Sequence, residues 1–217
     1  MKGSRQPYKV GMLVAATAAL ITAAVAATLL QEEHDTGVVH MAASGVVYQS
    51  LEELATIADL IVVGTVTGVA ARADDYRTTD PDLLAAYERA GVPTYPIVFY
   101  EIAVGETLKG QAGESVYVGR IDPERAIVLD VTPLRPRQKV LLFLRGRETP
   151  PGLHFTGAGL PVGQPSYMLL GMDNGVFDVS NTGSVTPRMP ARFTAGTVPS
   201  DLYGVRTRLQ AGGNTPA

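Results

Sequence analysis

The stretch ADLIVVGTVTGVA, Ala58 to Ala70, decides the fold. Gly64 and Gly68 stand at the end of an apolar run, the place where a nucleotide-binding protein puts its phosphate loop. A dinucleotide fold needs G-x-G-x-x-G opening a helix, and a P-loop needs G-x-x-x-x-G-K-[S/T]. Here the spacing is G-x-x-x-G, and the strand-favouring residues Thr65, Val66, Thr67 and Val69 run straight through it. Glycine inside such a run marks a bulge or a bend. The stretch therefore predicts a coiled strand, paired with the segment Val98 to Val104.

That partner lies in IVFYEIAVGETLKG, Ile97 to Gly110. Its period of two puts Val98, Tyr100, Ile102 and Val104 on one face and Ile97, Phe99, Glu101 and Ala103 on the other, with closure expected at Gly105 and the turn LKG. SVYVGRI (115–121), KVLLFLRG (139–146) and GLHFTGAG (152–159) read as further strands. YMLLGMDNGVFDV reads as a hairpin, because Asp173, Asn174 and Gly175 tolerate left-handed turn conformations. Three helices complete the pattern. Ser50 with Glu53 has capping-box spacing for a helix over 51–57, and Asp80, Pro81 and Gly91 frame a ten-residue helix. After the loop TGSVTPRMP, Ser200 caps a third helix from Asp201 to Gln210, with Leu202, Val205 and Leu209 as its apolar stripe.

The N-terminus carries a different signal. Lys2, Arg5 and Lys9 precede an uncharged run of 21 residues, Val10 to Leu30, followed by Glu32, Glu33 and Asp35. At about 1.5 Å per residue such a helix crosses a hydrocarbon core of about 30 Å. The one-sided charge orients it with the N-terminus in the cytoplasm and the rest of the chain outside. Retention as an anchor is the principal expectation. A cleaved signal peptide is the alternative, since Ala24 to Ala26 reads AVA, the small-x-small form of a cleavage site. The expected organisation is a basic cytoplasmic segment (1–9), a transmembrane helix (10–30), a tether (31–45), a β domain (46–210) with a helical excursion at 72–96, and a frayed tail (211–217).

Composition then excludes several chemistries. The chain has no cysteine, so disulfides, thiol catalysis and thiolate zinc sites are absent. After Leu30 it carries fifteen basic and twenty-one acidic residues, a net of minus six, which opposes binding to a phosphate backbone. The basic cluster Arg135, Arg137 and Lys139 reads as a solvated loop ahead of a strand. The acidic cluster Asp74, Asp75, Asp80 and Asp82 lacks the ordered spacing of a calcium loop. His34, His40 and His154 are few and scattered, and no H-E-x-x-H, G-x-S-x-G or S-x-x-K motif occurs. Glu101 and Glu106 are a conceivable acid-base pair, but their spacing puts them on opposite sheet faces unless a bulge at Gly105 changes the register.

ADLIVVGTVTGVA, VFYEIAVGETLKG and KVLLFLRG, in that order, resemble the OB-like barrel of netrin and metalloproteinase-inhibitor modules, and a group of exported bacterial proteins with the same skeleton. The likeness covers Leu51 to Val179. It implies a mostly β fold, a small OB-like antiparallel barrel with short flanking helices. In the animal inhibitors an N-terminal cysteine chelates the protease zinc, and this chain has none, so the inhibitory mechanism does not carry over. The functional expectation is a membrane-anchored extracytoplasmic module, non-catalytic, with an envelope protein as partner and no nucleic acid. No catalytic, metal or cofactor-binding residues are nominated. The alternative is an exported carboxylate-dependent hydrolase using His154.

Overall fold

The computed structural model describes residues 39–40, 46–75, 78, 80–128, 130–146, 160 and 166–213. The transmembrane run at 10–30, the strand expected at 152–159, and His34 and His154 lie outside them. Among the described residues no helix is long and apolar enough to cross a membrane.

The elements are β1 (Val39–His40), α1 (Leu51–Ile57), β2 (Leu60–Asp75), α2 (Pro81–Ala90), β3 (Tyr95–Lys109), β4 (Ser115–Ile121), β5 (Ala126–Ile127), β6 (Lys139–Gly146), β7 (Ser166–Leu169), β8 (Val176–Val179), β9 (Val185–Pro187) and α3 (Leu202–Gly213). Seven strands form one mixed sheet in the order β2-β3-β4-β7-β6-β8-β9, and a further pairing of β2 with β6 closes five of them into a ring. Every pair in that sheet is antiparallel except β4 with β7.

Closure rests on the stretch around Gly64. β2 is 16 residues long, so its first half can pair with β6 while its whole length pairs with β3. Gly64 faces Val104 on one side and Val140 on the other, and Gly68 faces Glu101. Register shifts fall between Ile61 and Val62, Val63 and Gly64, Val66 and Gly68, and Val69 and Ala71, so the strand is irregular along its length and two of its four irregularities fall at the glycines. A Cβ on Gly64 would lie 2.5 Å from Ile102 Cγ2 and 2.7 Å from the Ala103 carbonyl oxygen, so only glycine allows this approach.

The ring has cores on both faces. Leu60, Val62, Val66, Val98, Tyr100, Ile102, Val116, Val118, Val140, Leu142 and Leu144 fill its interior. Ile61, Val63, Leu141 and Phe143, the alternate residues of the same strands, pack outward against Leu51 and Leu54 of α1 and Leu202 and Val205 of α3. Strands buried on both faces read as unbroken apolar runs, which accounts for LIVV and VLLFL. Past its pairing with β6, β2 continues against β3, and β3 stays paired with β4 as far as Ile97 opposite Ile121, with a separate cluster of Ala71, Ala73, Ile97 and Phe99 packed beside Ile121. Only β2 and β3 extend further, over Asp74–Asp75 and Pro96–Tyr95, and α2 links them at the tip of this arm.

Two helix caps match their sequence signals. Ser50 Oγ accepts from Glu53 N at 3.1 Å, and the Glu53 carboxylate accepts from Gln49 N at 2.7 Å. The Asp80 carboxylate accepts from the amides of Asp82 and Leu83, and Gly91 closes α2 in the left-handed conformation at φ 61°.

Other expectations are corrected. β3 does not end at Gly105 but runs to Lys109: Val63 pairs with Glu106 and Gly64 with Val104, so Gly105 is the extra residue of a bulge. YMLLGMDNGVFDV is not a hairpin. β7 and β8 do not pair with each other; each pairs with a different part of β6, joined by a 3-10 turn at Met172–Gly175. The loop expected at TGSVTPRMP contains β9. α3 is capped by Asp201, whose carboxylate accepts from Gly204 N at 2.8 Å, while the Ser200 carbonyl accepts from Val185 N at 2.8 Å. α3 continues to Gly213, into the segment expected to fray. The expected tether holds β1, which pairs parallel with β5.

Candidate functional site

Alternation along β4 turns Val116 and Val118 into the ring and sends Arg120 the same way. The guanidinium therefore ends at the mouth of the ring's apolar interior, 4% exposed. Its Nη2 donates to Asp173 Oδ1, and both side chains are 3% exposed. The second oxygen of Asp173 accepts from Thr132 N at 2.8 Å and from Thr132 Oγ1 at 2.5 Å. Thr132 in turn accepts from Arg188 Nη1, at its Oγ1 at 3.0 Å and at its carbonyl at 3.3 Å. Arg188 Nε and Gln138 Nε2 both donate to Asp178 Oδ1. A chain of charge-assisted bonds thus runs from the ring interior to its rim.

The chain is incompletely satisfied at its inner end. Arg120 Nε and Nη1 are buried with no partner, and so is Asn174 Nδ2, although Asn174 Oδ1 accepts from Tyr48 N at 2.8 Å. An unpartnered buried donor costs about 1–3 kcal/mol. Burial draws the Arg120 pKa down, and Asp173 opposes that shift. Burial also pushes the Tyr100 hydroxyl up, against the pull of Arg120. Leu134 caps the mouth, its side chain buried in the interior cluster while its neighbours Pro133 and Arg135 are exposed.

The charged residues weighed in the sequence lie elsewhere. Glu101 accepts a bond from Thr67 Oγ1 at 3.0 Å, whereas Glu106 is held two-pronged by Arg206 at 2.7 and 2.6 Å. They do not form a pair. Arg206 keeps the Glu106 carboxyl below its ordinary range, the reverse of what a general acid needs. Asp74 is engaged by Arg125 and Thr94, each within 3.0 Å, and Asp80 by the helix it caps. Among the described residues no group of three or more His, Asp or Glu side chains could hold a metal ion. Arg135, Arg137 and Lys139 are exposed, as expected of a solvated loop. His40 stands in β1.

One signal in the sequence points to the Arg120 site. In SVYVGRI a charged residue occupies the inward alternation of an otherwise apolar strand. Its partner was hidden because Asp173, in MDNG, has the composition of an ordinary turn.

A second feature is the arm. Leu84 is the buried anchor of α2, while Leu83 is 45% exposed, Val92 just beyond the helix is 38% exposed, and Val69 on β2 is 46% exposed. Asp82, Glu88 and Arg89 on the same helix are exposed.

No protein-family model matches this chain, and no curated protein matches it.

Proposed function

We propose that this chain is a membrane-anchored extracytoplasmic module of OB-like fold that binds a protein partner of the cell envelope and performs no catalysis. The OB-like reading is supported by the ring. Counting its strands β2, β3, β4, β6 and β7 as first to fifth, their order is first, second, third, fifth, fourth, back to first, with the third and fifth parallel. That order matches the five-stranded Greek-key order of OB folds, which is what supports the reading. Anchoring and export rest on the Val10 to Leu30 run and its flanking charges.

The observation that carries the binding role is the arm formed by β2, β3 and α2. In OB folds the loop between the first two strands is a recognition element. Here that loop is enlarged into a capped helix that leaves Leu83 and Val92 uncovered, with Asp82, Glu88 and Arg89 exposed on the same helix. An apolar contact with a polar rim of mixed charge is the complementary surface. The arginine clamp on Glu106 supports the non-catalytic part of the reading. The test is affinity isolation of the full chain from solubilised native membranes, comparing wild type with the double variant Leu83→Asp, Val92→Asp. A partner retained by wild type and lost by the variant is expected. Equal recovery by both refutes the arm as the binding surface.

A further inference from the structure

We propose that Asp130–Arg137 is a hinged lid over the ring mouth, and that lifting it opens a site for a small molecule with an aliphatic body and one carboxylate. The aliphatic body would replace the Leu134 side chain, and the carboxylate would take a free N–H of Arg120. This goes beyond the protein-binding reading, since it concerns the ring interior and not the arm.

Four observations carry it. First, the segment is bounded by two non-glycine residues in the left-handed region, Asp130 at φ 64° and Arg137 at φ 68°, conformations that relax when neighbouring contacts let go. Second, Leu134 is the one buried residue between them, so a single side chain anchors the lid in the apolar interior. Third, the closed lid leaves Arg120 Nε and Nη1 buried and unpartnered. Fourth, Asp173 divides its two oxygens between Arg120 and the lid residue Thr132.

The fourth point makes the arrangement two-state. With the lid closed, Asp173 makes one bond to Arg120 and two to Thr132. With Thr132 withdrawn, Oδ2 loses both its bonds and can take Nε, which shares an edge of the guanidinium with Nη2, so that the pair becomes two-pronged. A carboxylate held on that edge leaves Nη1 free. It is left for an incoming anion, and Val98, Val118 and Tyr100 of the interior cluster are left for that anion's aliphatic part. Arg188, bonded to Thr132, adds positive charge at the rim. Opening thus gives up the burial of Leu134, the bonds of Thr132, the Arg192–Asp130 ion pair and the bonds from Asp173 N to Asp130 and from Arg137 N to Val66, in exchange for a better ion pair and a solvated donor.

The test uses isocaproate, whose branched end copies a leucine side chain, with isohexanol and acetate as controls lacking the carboxylate and the body. Calorimetric titration of the full chain is expected to show isocaproate binding at least tenfold tighter than either control, and tenfold tighter again to Leu134→Ala, in which the built-in occupant is gone. Equal binding of all three compounds, or none to either protein, overturns the ligand site. Hydrogen exchange on the wild type tests the lid without any variant. The amides of Thr132 and Arg137, bonded to Asp173 and to the Val66 carbonyl, are expected to exchange at least a hundredfold faster than those of Val140 and Leu142. Exchange of all four at one rate overturns the hinge.

Discussion

Alanine at the two glycines of the opening stretch separates ring closure from mere strand formation. At Gly64 the new methyl group meets a fully buried side chain, Ile102 Cγ2, at 2.5 Å and a main-chain oxygen, Ala103 O, at 2.7 Å. Neither can retreat freely, because Gly64 is hydrogen-bonded into the ladder between β3 and β6. Overpacking of this kind costs about 1–3 kcal/mol, and a main-chain contact places it at the upper end. For a domain of this size each kcal/mol lowers the melting temperature by about 2–4 °C, so Gly64→Ala should melt about 6–12 °C below wild type. At Gly68 no heavy atom lies within 4 Å of the added Cβ, and its φ is not in the left-handed region. Gly68→Ala restricts only the unfolded chain and should be neutral or stabilising, by up to about 1 kcal/mol. Thermal and urea unfolding followed by far-ultraviolet circular dichroism reads both. Equal stability of the two variants would refute the argument that β2 is pinched at Gly64 and free at Gly68.

Three further outcomes are expected. Asp173→Asn leaves Arg120 as an uncompensated buried cation and should cost about 3–5 kcal/mol in urea unfolding; Arg120→Met with Asp173→Leu, which removes both charges, should recover most of it. Glu106 has its folded pKa lowered by Arg206 from an ordinary 4.5. Its contribution is therefore present above that value and lost as pH falls through the folded pKa. Wild type should accordingly exceed Glu106→Gln in melting temperature at neutral pH, and the two should converge in acid. Asp80→Ala removes the α2 cap and should cost about 1 kcal/mol of helix stability, visible as faster hydrogen exchange confined to α2.

Legibility in the sequence followed the range of the interactions. The caps at Ser50 and Asp80, the left-handed Gly91, and the strands at 115–121 and 139–146 are dictated within a few residues and match the structure. What failed depended on distant partners. MDNG has the chemistry of a hairpin turn, but Asp173 is drawn 53 residues away to Arg120, which turns the segment into a 3-10 crossing between two strands on one edge of β6. In sequence Gly105 fits a strand end as well as a bulge, since both use the same residue, and only pairing with Val63 and Gly64 distinguishes them. Ser200 and Asp201 are both good caps, and the bond from Val185 to the Ser200 carbonyl settles the choice. β5 and β9, two and three residues long, are too short to carry a period. The ring mouth was the least legible part, since its members come from β4, the Asp130–Arg137 lid, the 3-10 turn and β8 and its flank.

The proposal that the arm is the binding surface is tested most directly by a photoreactive amino acid placed at Leu83 in the full chain, with the same probe at Tyr203 as control. Tyr203 is the more exposed position, 77% against 45%, and lies on α3, away from the arm. Irradiation of native membranes should give a discrete crosslinked species from position 83 and none from position 203. Crosslinking from 203 alone, or from neither, would contradict the account.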